Sequence, residues 1–126
     1  LLRENGRIVL QAISIPDQRY DGYRKDADWI RKHIFPGGHL PSLGALIKAM
    51  KNHSSLTVDD VENIGLHYAR TLREWRRRFE ENIDAVSAMG FDRSFRRKWL
   101  YYLASCEATF ATRYLGDLQL VLTRPG

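Results

Sequence analysis

The longest periodic pattern in the chain is a stripe of apolar side chains between residues 68 and 86. Its six members are separated by 4, 3, 4, 4 and 3 positions: Tyr68, Leu72, Trp75, Phe79, Ile83 and Val86. At about 100° per residue they fall within about 80° of arc, which places them on one side of an α-helix. The spacing predicts a long amphipathic helix that ends at Met89-Gly90 and packs its apolar face against other elements.

Three further helices are predicted from capping residues and apolar spacing. The first covers 26–35, with acids at its start and basic residues near its end, as the helix dipole favours. The second begins after Ser42 and the third after Asp92, both good N-cap residues. The third helix has five aromatic or apolar residues on one face: Phe95, Trp99, Tyr102, Cys106 and Phe110. We expect the polar residues 17–25 to form a loop.

Strands are predicted at both ends of the chain. Residues 7–15 follow an Asn-Gly turn signal and are rich in β-branched side chains. Residues 8–10 are apolar without alternation, which is typical of a strand buried on both faces of an α/β sheet. A short extended segment is expected at 56–64 and a final strand at 117–123. The predicted order is therefore β, α, α, short β, long α, long α, β, which fits an α/β or α+β fold.

Composition excludes several classes of protein. The 126 residues include 20 Lys and Arg, 15 Asp and Glu and a single cysteine, so no internal disulfide is available. The apolar stretches are far shorter than the roughly 20 residues of a spanning helix, and no signal-peptide pattern opens the chain. The chain starts at Leu1, without methionine and inside what reads as a turn before a strand, so we expect a fragment of a longer protein.

Most of the net charge of +5 lies in residues 70–98, which hold nine basic and five acidic residues. Basic residues interleaved with aromatics are a feature of nucleic-acid binding. Helical geometry favours a solvated face instead, because four acid–base pairs lie four residues apart: Arg70/Glu74, Glu74/Arg78, Arg76/Glu80 and Arg77/Glu81. An anionic membrane surface is the second alternative.

The residues alone show no autonomous catalytic constellation. The four histidines, at positions 33, 39, 53 and 67, lack metal-ligand spacing, so no metal site is predicted. Cys106 lies on the apolar face of its predicted helix, where a buried and inert thiol is expected. No glycine-rich loop follows a strand, so no cofactor-binding residue is predicted here.

Several segments, in order along the chain, resemble the C-terminal third of the cyclopropane-fatty-acyl-phospholipid synthases. That family of S-adenosylmethionine-dependent enzymes includes the mycolic acid cyclopropane synthases. The matching segments are GRIVLQAI at 6–13, WI at 29–30, IFPGGHLPS at 34–42, NIGLHYARTL at 63–72 with Trp75, YYL at 101–103 with Cys106 and Phe110, and LQL at 118–120. The strings I-F-P-G-G-x-L-P-S and N-x-G-x-x-Y-x-x-T-L-x-x-W are distinctive.

The resemblance implies an α/β fold, the C-terminal part of a class I, Rossmann-like methyltransferase domain, with late sheet strands and about four helices. In the family the glycine-rich cofactor loop and an active-site cysteine and glutamate lie upstream. Residues 1–126 are then the C-terminal part of one catalytic domain whose cofactor-binding part is absent. They comprise a late strand (7–15), a helical cover over the acyl-chain site (26–115) and a final strand antiparallel to its neighbours (117–123).

The resemblance also implies the chemistry. The π electrons of a cis double bond in a phospholipid acyl chain attack the sulfonium methyl group, and bound bicarbonate removes a proton before the ring closes. Tyr68 matches the family tyrosine that hydrogen-bonds the bicarbonate, and Ile13 matches a position whose backbone contacts it. Gln11 stands where the best-known members have histidine; its amide can donate a hydrogen bond but carries no titratable proton. Phe35, Pro36 and Gly37 are candidates for the acyl site.

The implied partners are unsaturated phospholipid acyl chains and an anionic membrane surface, with no nucleic acid. The implied location is cytoplasmic and peripheral to the bacterial inner membrane, and the fragment alone is expected to be inactive. Isolated, it would expose unpaired strand edges and self-associate. Two alternatives stay open: a non-catalytic basic helical binding module, and a family relative that forms a methyl-branched lipid or has lost activity, for which Gln11 is the suggestive residue.

Overall fold

The computed structural model describes residues 2–26 and 28–126, and these form three strands and six helices. In chain order the elements are β1 (Arg7–Ser14), α1 (Asp17–Lys25), α2 (Trp29–His33), α3 (Leu43–His53), β2 (Thr57–Asn63), α4 (Gly65–Glu81), α5 (Ile83–Ala88), α6 (Arg93–Ala111) and β3 (Gly116–Thr123). The predicted α/β class is confirmed.

The last strand lies in the middle of the sheet. The strand order is β1-β3-β2, and β3 is antiparallel to both neighbours, as predicted for the final strand. Leu118, Leu120 and Leu122 alternate along β3 and are buried on one face. On that face they pack with Leu43, Leu46 and Met50 of α3. Period-two burial thus places α3 on one side of the sheet.

The opposite side of the sheet is covered by α4 and α6. Their buried cluster consists of Ala69 and Leu72 from α4 and Leu103 and Phe110 from α6, with Ile13 of β1 packed against it. The predicted apolar faces of both helices are therefore confirmed where they meet, except at Trp75, which was expected to be buried and is 46% exposed. Helix α6 begins after Asp92, whose carboxylate accepts a hydrogen bond from the backbone N–H of Phe95 at 2.7 Å, as a good N-cap does.

The predicted charge pairs on α4 are confirmed in three of four cases. Glu74 pairs with Arg78, Arg76 with Glu80, and Arg77 with Glu81. Glu107 of α6 additionally binds Arg73 and Arg76 across the helix interface. The cations of α4 are thus largely neutralised by neighbouring acids, as the solvated-face interpretation requires.

Three predictions about the helices were wrong. Residues 17–25 form helix α1 rather than a loop, although none of its residues is buried. The predicted helix over 26–35 is only the short α2, capped by the Asp28 side chain, and position 27 lies outside the described residues. The long helix is divided at Asn82, which caps α4 and precedes α5. There are consequently six helices in the described chain instead of about four.

The prediction that residues 8–10 are buried on both faces of the sheet was also wrong for the described residues. Val9 is 72% exposed and Leu10 is exposed as well, whereas Ile8 packs near β3. Strand β1 pairs with β3 along one edge, and among the described residues no strand pairs with its other edge. The apolar run is therefore only half covered.

Candidate functional site

Gln11 and Ile13 lie on the same face of β1, the face covered by α4 and α6. The register places Ile13 opposite Asp117 and Gln11 opposite Gln119. The Gln11 amide reaches diagonally across the strand pair, and its Nε2 donates to Oδ2 of Asp117 at 2.8 Å. Gln11 and Ile13, both predicted site residues, therefore lie next to Asp117, which was not predicted as a site residue.

Asp117 is the central polar residue of this site. Its side chain is fully buried (0% exposed), and its Oδ1 atom has no hydrogen-bond partner among the described residues. Burial raises the pKa of the Asp117 carboxyl, and the hydrogen bond from Gln11 opposes that shift. The signal available in the sequence was an acidic residue at the start of a leucine-rich strand, next to Gly116.

The connection between β2 and α4 fixes the backbone beside Asp117. The Asn63 side-chain oxygen accepts from the N–H groups of Gly65, at 3.0 Å, and of Asp117, at 3.2 Å. The N–H of Ile64 donates to the Asp117 carbonyl at 2.7 Å. A Cβ on Gly116 would come within 2.9 Å of the Asn63 amide, so this close approach requires glycine. The junction sets the start of α4 directly against β3.

Tyr68 lies in the first turn of α4, at the same end of the sheet. Its half-buried ring meets Phe110 edge-to-face at 4.9 Å and Trp75 at 6.0 Å between centroids. Burial raises the pKa of Tyr68, and the nearby Asp117 and Cys106 raise it further. The phenol stays protonated at neutral pH, and its hydroxyl has no hydrogen-bond partner among the described residues. This free O–H donor thus lies on the same side of the sheet as Ile13 and Asp117.

Cys106 and Tyr102 of α6 border the same cluster. Burial raises the pKa of the Cys106 thiol to about 11 and that of the Tyr102 hydroxyl to about 12. A thiol with this pKa is almost entirely protonated at neutral pH and is a poor nucleophile. This agrees with the predicted inert role of Cys106.

The acyl-site candidates lie in the turn between α2 and α3. Phe35 is exposed over much of its surface and packs edge-to-face on Tyr102 at 5.8 Å. Tyr102 in turn borders the cluster that contains Tyr68. Pro36 and Gly37 are exposed, and Gly37 has a φ of +79°, which favours glycine. The structure therefore links Phe35 to the Tyr68 cluster through one aromatic ring and does not bring Pro36 or Gly37 to it.

The arrangement combines polar groups with an aromatic wall. One phenol and one amide can donate hydrogen bonds, one buried carboxyl can hold or release a proton, and aromatic faces can stabilise a nearby positive charge. These groups can together hydrogen-bond an anion and hold a proton.

Strand β3 lies antiparallel between β1 and β2, which run parallel to each other. This is the fold of part of a class I S-adenosylmethionine-dependent methyltransferase domain. The chain superimposes on the mycolic acid cyclopropane synthase CmaA1 complexed with SAH and CTAB, with a TM-score of 0.83 and 24% identity over 97% of this chain and 45% of that one. The cyclopropane synthase MmaA2 from Mycobacterium tuberculosis gives a TM-score of 0.80 at 22% identity, again over 97% of this chain and 45% of that chain.

The chain belongs to the mycolic acid cyclopropane synthetase family, whose sequence profile matches residues 1–120. It is 43% identical over 126 residues to the tuberculostearic acid methyltransferase UfaA1 of Mycobacterium tuberculosis, covering 100% of this chain and 30% of that protein. It is 33% identical over 96 residues to the cyclopropane-fatty-acyl-phospholipid synthase of Escherichia coli strain K12, covering 76% of this chain and 24% of that protein. The chain thus spans less than a third of the length of these relatives.

Proposed function

We propose that this chain is the C-terminal part of a longer methyltransferase that modifies the cis double bond of unsaturated acyl chains in phospholipids. The family assignment and the short share of each relative that is matched support this proposal. They also favour an enzyme over a non-catalytic basic binding module. S-adenosylmethionine, held by the upstream part, supplies the methyl group.

The observation that carries the proposal is the Tyr68 hydroxyl, which has no hydrogen-bond partner among the described residues. It lies on the side of the sheet that carries the Gln11–Asp117 pair, and Asp117 is near enough to raise the pKa of Tyr68. When the double bond accepts a methyl group, a positive charge develops on the acyl chain. The ring of Tyr68, held edge-to-face by the buried Phe110, would stabilise such a charge through its electron-rich face. Tyr68 remains neutral there because burial keeps its pKa high.

Bicarbonate is the proposed base, held by the Tyr68 hydroxyl, the Gln11 amide and the backbone of Ile13. Gln11 uses one N–H for Asp117 and retains a second for an anion. An ionised Asp117 so close would repel an anion, but burial raises the Asp117 pKa and favours its neutral form. A protonated Asp117 could donate from Oδ1, which has no partner within the described part of the chain. The donor set therefore fits a small anion when Asp117 is neutral.

Gln11 also supports a second product. In both products the cation left after methyl transfer loses a proton. A cyclopropane forms when the proton leaves the transferred methyl group and the C–H electron pair closes the ring, whereas loss of a proton from a carbon beside the cation re-forms a double bond and leaves a methyl branch. Gln11 cannot relay the methyl proton because its amide does not titrate, which favours the second outcome. Its hydrogen bond to Asp117 further commits one of its two donor hydrogens. A methyl-branched lipid is therefore the second candidate product, and the similarity to a protein named tuberculostearic acid methyltransferase supports it.

We place the enzyme in the cytoplasm, at the inner face of the membrane. Its substrate is a membrane lipid, and the chain carries a formal charge of +5. Within the described residues, no helix combines the length and the apolar character needed to cross a bilayer.

The test is to express the full-length protein in a host lacking this modification and to analyse its phospholipid acyl chains by mass spectrometry. Chains heavier by one CH2 that have lost the double bond would establish cyclopropanation. The same gain with the double bond retained, or reduced in a separate step, would establish methyl branching. An unchanged acyl profile from correctly folded protein contradicts the proposal. The 126-residue chain alone should show no saturable binding of S-adenosylmethionine by calorimetry.

A further inference from the structure

An open cleft lies between α2 and the first two turns of α6, away from the Gln11–Asp117 pair. Its volume is about 720 Å³, and six residues line it: Trp29, Arg93, Ser94, Arg97, Lys98 and Tyr101. Arg93 and Arg97 are four residues apart and therefore lie on one side of α6, with Lys98 next to them. The cleft thus gathers three cations on one helix.

These cations differ from those of α4 in having no acidic partner. Among the described residues, no carboxylate lies within salt-bridge distance of Arg93, Arg97 or Lys98. The acids that precede α2 and α6 have other partners: Asp92 caps the first turn of α6, and Asp28 caps α2 and pairs with Arg31 at 3.7 Å. Three unneutralised cations side by side create a positive potential that attracts an anion.

Aromatic and apolar side chains adjoin the cations. Trp29 and Tyr101 meet edge-to-face at 4.5 Å in the cleft, and Tyr101 is 54% exposed. Met89 and Phe91, both exposed, precede α6 in the chain. Cations next to exposed aromatic and apolar groups are typical of surfaces that lie at the headgroup level of a bilayer.

We propose that this cleft binds the phosphate of an anionic phospholipid headgroup and so docks the enzyme on the membrane. The two guanidinium groups match a phosphodiester bidentately, and Lys98 adds a point charge. Ser94 supplies a hydroxyl donor. The aromatic rings contact the interfacial region beside the headgroup. This inference rests on the proposed function, because an enzyme acting on phospholipid acyl chains must reach them at a bilayer surface.

The test uses the full-length enzyme and two triple variants that remove the same charge. One carries Arg93→Gln, Arg97→Gln and Lys98→Gln. The control carries substitutions at three exposed lysines outside the cleft: Lys25→Gln, Lys48→Gln and Lys51→Gln. Binding is measured by sedimentation with phosphatidylcholine vesicles, with and without phosphatidylglycerol. At about 1 kcal/mol per basic residue near an anionic surface, the cleft variant should bind phosphatidylglycerol vesicles about 100-fold more weakly. The control should lose far less.

Three results would overturn the inference. Equal losses in both triple variants would mean that only total charge matters. Unchanged binding of the cleft variant would remove the cleft from membrane docking. Competition by soluble glycerol phosphate, with no preference for phosphatidylglycerol vesicles, would assign the cleft to a soluble phosphate.

An activity measurement separates this inference from the proposed function. With substrate dispersed in neutral detergent, both triple variants should match the wild-type turnover, because docking is bypassed. A wild-type enzyme inactive on dispersed and vesicular lipid alike would contradict the proposed function, while the vesicle-binding comparison would still decide the role of the cleft.

Discussion

Replacing Tyr68 with phenylalanine in the full-length enzyme should separate catalysis from folding. The hydroxyl has no hydrogen-bond partner among the described residues, so its removal should change the free energy of unfolding by no more than about 0.5 kcal/mol. The ring contacts with Phe110 and Trp75 are retained. By contrast, Tyr68→Ala would leave a cavity against Phe110 and should cost about 3 kcal/mol.

Turnover, unlike stability, should fall strongly in Tyr68→Phe. A hydrogen bond to a charged group is worth about 1.5–3 kcal/mol, so loss of the Tyr68 hydroxyl from a bound anion should lower turnover by about 10- to 100-fold. Tyr102→Phe is the matched control, since Tyr102 is a second half-buried tyrosine packed against the same core cluster.

The measurements are urea unfolding and the rate of one-carbon addition to unsaturated phospholipid. Wild-type turnover in Tyr68→Phe would remove this residue from the catalytic site. A loss of stability well above 1 kcal/mol would show that the hydroxyl has a structural partner. An equal fall in turnover for Tyr102→Phe would mean that the effect is general to the cluster.

Two further predictions concern buried and interfacial carboxylates. Because burial raises the pKa of Asp117 in the folded protein, its carboxyl contributes most to stability at pH below the ordinary carboxyl pKa, where it is protonated. That contribution is lost as pH rises through the pKa of the folded state. Asp117→Asn should therefore gain stability relative to wild type as pH rises, by urea unfolding at several pH values; a constant difference would refute a raised pKa. Glu107, whose side chain is 14% exposed, binds Arg73 and Arg76, so Glu107→Gln should cost about 1–2 kcal/mol, whereas Glu81→Gln, at an exposed pair, should cost less than about 0.5 kcal/mol. Equal costs would contradict that comparison.

The elements predicted well from sequence are those whose signals are local. The caps at Ser42 and Asp92 and the apolar faces of α4 and α6 depend on neighbours three or four residues away, and the structure confirms them. The antiparallel final strand came from the family resemblance, because strand order is set by contacts between distant residues.

Helix α1 could not be predicted because it has no apolar stripe. Contacts with residues distant in sequence hold it in place. The Asp17 carboxylate accepts from the Gly44 N–H of α3 at 3.0 Å. Arg19 lies over the Tyr114 ring at 3.7 Å, and Tyr20 bonds His39 at 3.1 Å. All these partners are distant in sequence, so a polar segment that reads as a loop is helical.

The candidate site could be predicted only in part, because contacts between residues distant in sequence also bring its side chains together. Tyr68, Gln11 and Ile13 were named from the family resemblance, and periodicity alone placed Tyr68 in a core stripe. Asp117 was missed because its partner Gln11 lies 106 positions away, on another strand. Only the sheet register brings the two side chains together.

The central position of β3 has a consequence for how the protein is made. Strands β1 and β2 do not pair with each other, and each acquires its sheet partner only when residues 116–123 are available. On the ribosome these are among the last of the described residues to emerge. The apolar faces of β1, α3 and α4 therefore stay exposed until β3 has been synthesised. Aggregation competes with folding during that interval. Chaperone dependence during synthesis is expected to follow from this strand order.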